Sequence, residues 1–110
     1  MPLSSYDTER IAYIKTLVEQ DISRHYTIEE LSLAAALGKT KLKAGFRLLY
    51  KKGIYTHLRH LRMQQAAAWL TGTDKPLKEI ARLTGFKHYH NFLAAFTKYY
   101  GYTPGQARKK

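Results

Sequence analysis

An all-α fold of about seven helices, built from two similar helix pairs joined by a long helix, is what this sequence predicts. Three observations predict it. A nine-residue pattern occurs twice, fifty residues apart: Leu42-Lys-Ala-Gly-Phe46-Arg-Leu-Leu-Tyr50 and Phe92-Leu-Ala-Ala-Phe96-Thr-Lys-Tyr-Tyr100. Large apolar residues recur at spacings of three and four, and no segment alternates apolar and polar as a half-buried strand does. Capping residues, glycines and prolines divide the chain into helix-sized pieces.

Taken in order, residues 1–7 form an N-terminal tail. Residues 7–24 then form a helix, with Asp7 or Thr8 as its cap and Ile11, Ile14, Leu17, Val18 and Ile22 as its apolar stripe. Thr27 and Glu30 make a capping box, so a second helix starts near Ile28 and carries Leu31, Ala34, Ala35 and Leu37 until Gly38 breaks it. A third helix runs from about Thr40 to Tyr50. The linking helix follows within 54–72, through Leu58, Leu61, Met63, Ala66, Ala67 and Leu70, and Gly72 ends it. Pro76 suits the first turn of a short helix that holds Leu77, Ile80, Ala81 and Thr84 and stops at Gly85. The last assigned helix spans about Tyr89 to Tyr100, where Gly101 closes it and Pro104 forbids continuation.

The pairs 28–50 and 77–100 each place a short helix, a tight turn and a longer helix in succession. This is the helix-turn-helix layout. Ser32 and Ala36 match Ala81 and Gly85 before the turn, where small residues let the helices cross closely. The domains that follow are a first helix-turn-helix lobe over 8–53, the linking helix over 54–72 and a second lobe over 73–110.

The 110 residues suffice for one compact core or two small lobes, and 45% hydrophobic residues are too many for a disordered tail. No cysteine is present, so disulfides and thiolate chemistry are excluded. No apolar run reaches the ~18 residues of a membrane span. The expectation is a cytoplasmic, nucleoid-associated protein with no membrane partner. Charge is unevenly placed. Residues 1–30 hold six acidic and three basic residues, whereas residues 31–110 hold sixteen Lys and Arg against only Asp74 and Glu79. A one-signed surface attracts a polyanion, and here it coincides with the two helix pairs.

Ile80-Ala-Arg-Leu-Thr-Gly85-Phe86, Phe92-x-x-x-Phe96, Gly101-Tyr-Thr-Pro104 and Arg108 closely resemble the signature of the AraC/XylS family of bacterial transcription regulators. Thr27-Ile-Glu-Glu-Leu31-Ser, Leu42-x-x-Gly45-Phe46-Arg47 and Leu58-Arg-x-Leu-Arg62-Met63-x-x-Ala66 look like its first motif and its linking helix. The resemblance covers about residues 8–108. It implies the DNA-binding region of such a regulator, with two helix-turn-helix lobes entering successive major grooves of double-stranded DNA. Most members carry a separate sensing domain outside this region; the region alone is expected to be monomeric, and any dimer of the full protein would form through that domain.

In the family, base-reading residues lie six, three and two places before the conserved Phe. The resemblance therefore points to Thr40, Lys43 and Ala44 in the first lobe and to His90, Leu93 and Ala94 in the second. The place two before Phe is often Arg in the family, yet both lobes have Ala, which cannot make the bidentate guanine contact of Arg. Readout then leans on the helix starts: Lys39, Thr40, Lys41 and Lys43, with Arg47 further along, and Lys87, His88, Tyr89, His90 and Asn91. Asn91 can pair with adenine. Lysines contact phosphate more often than bases. A second departure is Lys51, where the family usually has Gly. Either the helix runs on toward Gly53, which is the expectation, or Lys51 sits in a strained turn.

Other readings carry less. His57/His60 and His88/His90 lack a neighbouring carboxylate or cysteine at metal-binding spacing, so no metal and no cofactor is expected. A basic, polar recognition surface accounts for the histidines better than a metal site. Trp69, Phe46 and Phe96 fit a core better than a stacking platform. No phosphate loop, paired carboxylates or nucleophile–base motif suggests an enzyme. The competing reading is an all-α protein-interaction module whose basic face docks on an acidic partner or on RNA polymerase.

Overall fold

The computed structural model describes residues 2–109. Its order is α1 (Ser5–Gln20), α2 (Ile28–Ala35), α3 (Lys39–Tyr50), α4 (Ile54–Gly72), α5 (Leu77–Leu83), α6 (Tyr89–Tyr100) and α7 (Pro104–Arg108), with no strand among the described residues. The chain divides inside α4 into two compact units, one ending at Arg59 and one beginning at His60. We call them lobe one and lobe two. α4 links them, and each of its halves belongs to the core of the lobe on its side.

Lobe one is built on α1–α3 and the first turns of α4. Ile11, Ile14 and Val18 of α1 meet Leu31 and Ala35 of α2, Leu42 and Phe46 of α3, and Ile54 and Leu58 of α4. Gly45 explains why the repeat needs a small residue beside its Phe. A Cβ there would stand 2.5 Å from Ile11 Cδ1 and 3.3 Å from Leu3 Cδ2. In lobe two, Met63, Ala66 and Leu70 of α4 pack with Ile80 of α5, Phe92 and Phe96 of α6, and Ala107 of α7. The repeat is thus a pair of core anchors. Phe46 and Phe96 are fully buried. Tyr50 and Tyr100 cover them with ring centroids at 4.8 and 4.7 Å. The Tyr100 hydroxyl also donates to the Met63 carbonyl at 3.0 Å.

Several boundaries differ from expectation, each for a local reason. α1 starts at Ser5, not Asp7, so residues 5–7 are helix rather than tail. Ser4 is the cap, and its hydroxyl accepts the Asp7 N–H while the Asp7 carboxylate accepts the Ser4 N–H. α1 ends at Gln20 instead of 24 because the Asp21 carboxylate takes the N–H and hydroxyl of Ser23, a side-chain turn that competes with the helix. α2 ends before Ala36, not at Gly38. Ala36 is left-handed at φ 56°, and Gly38 instead caps α3, one residue earlier than expected. Thr84 caps the end of α5 and Gly85 takes the left-handed turn at φ 95°. Lys51 is left-handed at φ 67° and its N–H returns to the Arg47 carbonyl, so α3 stops at Tyr50 and does not run on toward Gly53. The seventh helix, which had no assigned range, follows from Thr103 and Gln106, a capping box with Pro104 in the first turn.

The two turns are copies. Ala36 donates to Leu33 and Leu37 to Ser32, and 49 residues on Gly85 donates to Arg82 and Phe86 to Ala81. Both are Schellman closures of a short helix. Each lobe also carries an arginine fork over backbone carbonyls at or just past a helix end. Arg10 donates to the carbonyls of Ala34 and Ala35 at 2.7 and 3.0 Å. Arg108 donates to those of Leu70, Lys75, Trp69 and Thr73. No helix among the described residues is long and apolar enough to cross a membrane.

Candidate nucleic-acid interface

In lobe one the core seats α3 by Leu42, Gly45 and Phe46, which fixes the opposite side toward solvent. Thr40, Lys43, Ala44 and Arg47 occupy that side at spacings of three, four and seven, and all four are exposed. They line an open groove of about 600 Å³, whose far wall is the start of α4 at Gly53, Ile54, Tyr55 and Thr56. Ala44 adds only a methyl group to the lining of this groove. Tyr55 holds the wall, because its hydroxyl donates to the Tyr26 carbonyl at 2.8 Å. The surface therefore offers a threonine hydroxyl, a lysine and an arginine above an apolar floor, a mixture suited to base edges and phosphates.

Two further lysines of α3 have partners in the free protein. Lys39 Nζ lies 3.1 Å from Glu29 Oε1 of α2. Lys41 points away from the groove to α1, where its Nζ stands 3.3 Å from the buried Asp7 carboxylate. The Ser4 amide, with Lys41 beside it, holds the Asp7 carboxyl below its ordinary value against the opposing effect of burial. Lys41 is therefore separated from Lys43, although adjacent numbering put them together.

In lobe two, α6 is seated by Phe92 and Phe96, with Phe86 edge-on to Phe92 at 5.6 Å. Lys87, His88, His90, Asn91 and Ala94 are exposed. The His88 and His90 rings stack at 5.9 Å. Leu93 and Tyr89 differ from the rest of the expected set, because both are half-buried against the lobe-two core. At the place matching Arg47, Thr97 turns its hydroxyl onto the Leu93 carbonyl of its own helix at 2.7 Å. The lobe-two surface is thus imidazole and amide at the helix start, with no arginine along it.

Sequence reasoning missed Tyr55 and Thr56 as groove wall, Arg10 as a clamp and Glu29 as the partner of Lys39. None leaves a local signal, since each contact joins residues ten or more apart or two helices. Among the described residues no three His, Asp or Glu side chains gather as a metal site would require.

A family model described as a helix-turn-helix domain matches residues 31–110. The chain is 25% identical over 108 residues to the HTH-type transcriptional regulator MtrA of Neisseria gonorrhoeae, covering 98% of this chain and 36% of that protein. Among solved structures it is 30% identical to the C-terminal domain of the two-component response regulator yesN from Fusobacterium nucleatum, covering 94% of this chain and 99% of that one at a TM-score of 0.78. The DNA-binding domain of AdpA, a global transcriptional factor solved in complex with a target DNA, matches at a TM-score of 0.84 with 21% identity over 91% of this chain and 90% of that one. The chain spans about a third of the length of the curated relatives it matches.

Proposed function

Because this chain belongs to the AraC-type helix-turn-helix family, we propose that it is a sequence-specific, double-stranded DNA-binding region of a bacterial transcription regulator. The observation that carries the reading is the exposed face of α3. A helix anchored by Leu42 and Phe46 turns Thr40, Lys43, Ala44 and Arg47 outward into one groove, and the anchor pattern returns in α6. An α-helix fits the major groove, where each base pair shows its own pattern of donors and acceptors.

Thr40, Lys43 and Arg47 are assigned base edges or adjoining phosphates, and Ala44 can offer a thymine methyl only an apolar contact. In lobe two the readers are His90 and Asn91, with Ala94 beside them. Lys87 and His88 sit just before α6 and hold phosphate, whereas Lys39 at the start of α3 is paired with Glu29. Lys41, tied to Asp7, is read as a lobe-one brace with a lesser share in binding, while Leu93 and Tyr89 support the helix from beneath. Positive charge gives affinity for any sequence through counterion release, and the two helix faces give the choice among sequences.

The test is a salt titration with duplex DNA. Four to eight phosphate contacts give a log–log slope of about −4 to −7. An affinity indifferent to salt sinks the reading, and so does stronger binding to an acidic protein surface than to duplex.

A further inference from the structure

α2 and α5 open the two helix pairs, and their second residues differ in kind. Glu29 follows Ile28 in lobe one. Lys78 follows Leu77 at the matching place, 49 residues on, in lobe two. Each touches the first residue of the longer helix of its own pair. Glu29 Oε1 lies 3.1 Å from Lys39 Nζ. Lys78 Nζ lies over the Tyr89 ring, 5.9 Å from its centre. One contact of the repeat is therefore a carboxylate in lobe one and an ammonium in lobe two.

The Glu29 carboxylate also bears on the groove face. Its carboxyl is held below the ordinary value first by its own backbone N–H, then by the hydrogen bond and charge of Lys39, with the charge of Lys43 adding. The Glu29–Lys39 pair is more than half exposed on both sides. Exposed pairs contribute little to folding. Its larger effect falls on whatever polyanion approaches Lys39. A phosphate contact from Lys39 would favour every sequence equally, whereas base contacts reward one sequence over others.

We propose that this repeat position sets each lobe's hold on the DNA backbone: Glu29 is a specificity-determining residue that withholds Lys39 from phosphate, and Lys78 adds a phosphate contact in lobe two. The proposal rests on the duplex-binding reading above. Lobe one then binds well only where its groove face meets matching bases, while lobe two grips with less regard to sequence.

The experiment measures affinity for a random-sequence duplex across about 0.05–0.3 M salt for the whole chain, Glu29→Gln, Lys39→Gln, their double variant and Lys78→Gln. Glu29→Gln should bind about two- to fivefold tighter and steepen the salt slope by about one. Lys78→Gln should bind more weakly and flatten the slope by about one. In the Lys39→Gln background, Glu29→Gln should change little. Loss of an acidic first-turn residue loosens α2 if it does anything to folding, and that would weaken binding, the opposite direction. A neutral Glu29→Gln overturns the proposal while wild-type binding keeps the duplex reading intact. So does an equal gain with and without Lys39, or a neutral Lys78→Gln. A wild-type chain that ignores duplex DNA overturns both.

Discussion

Ala36 and Gly85 are one turn residue in two copies, so exchanging their identities should shift the two lobes in opposite directions. Ala36 is held at φ 56°, ψ 40° and is exposed, so its side chain supports nothing that glycine would lose. An L-residue in this region costs about 1–2 kcal/mol, and glycine does not bear that cost. Glycine returns about 0.4–1 kcal/mol through its freer unfolded chain. The balance is a stabilisation of lobe one by Ala36→Gly of about 0.5–1 kcal/mol. Gly85 lies at φ 95°, beyond the left-handed well open to alanine. Gly85→Ala should therefore destabilise lobe two by at least as much. In lobe one the Ser32 hydroxyl also donates to the Leu37 carbonyl, a bond that Ala81 cannot copy. That extra tie is how lobe one keeps a turn made by alanine. Urea unfolding followed by hydrogen exchange at the Phe46 and Phe96 amides separates the lobes. With a slope of about 1.5 kcal/mol/M, the lobe-one midpoint should rise by about 0.3–0.7 M. A lower lobe-one midpoint for Ala36→Gly, or shifts of the same sign in both variants, refutes the reasoning.

Arg108→Lys should destabilise lobe two by about 2–3 kcal/mol in the same assay, because a lysine keeps the charge but cannot span the four carbonyls that the guanidinium reaches. Acid should unfold lobe one first. Asp7, Glu19, Asp21, Glu29 and Glu30 are all held below their ordinary values, by Ser4, Lys15, Ser23, Glu29's own N–H and Thr27 as the leading partners. Their stabilisation is full above the ordinary values of 4.5 for Glu and 3.8 for Asp and is lost as pH falls through the lowered ones. Amide spectra on acidification should lose lobe-one signals before those of lobe two. Lys43→Ala should weaken duplex binding and flatten the salt slope by about one, whereas Lys41→Ala should act mainly on lobe-one stability. Equal effects of the two on binding would contradict the orientation of α3.

Features encoded within one helical turn were legible in the sequence. Thr27 and Glu30 announce α2, and the repeat's Leu42, Phe46, Phe92 and Phe96 give the buried faces of α3 and α6. The periodicity that places Phe46 in the core also places Thr40, Lys43, Ala44 and Arg47 outside it. Backbone signs were harder to read. Gly38 looks like the breaker, but the left-handed residue is Ala36, because two closing hydrogen bonds and the helix crossing decide the turn rather than glycine's preference. Lys51 does the same at the end of α3. Direction around a helix also misleads at adjacent positions. Lys41 and Lys43 are neighbours in sequence yet face Asp7 and the groove respectively. Arg10, Tyr55 and Glu29 act across helices and leave no trace in local pattern.

Selection of duplexes from a random library, with each lobe's face altered in turn, tests most directly whether two helix faces choose a DNA sequence. Wild type should enrich two separable blocks of conserved bases. Replacing Thr40, Lys43 and Arg47 with alanine should erase one block, and replacing His90 and Asn91 should erase the other. An unenriched pool, or a pattern indifferent to both sets of replacements, would contradict base reading by α3 and α6.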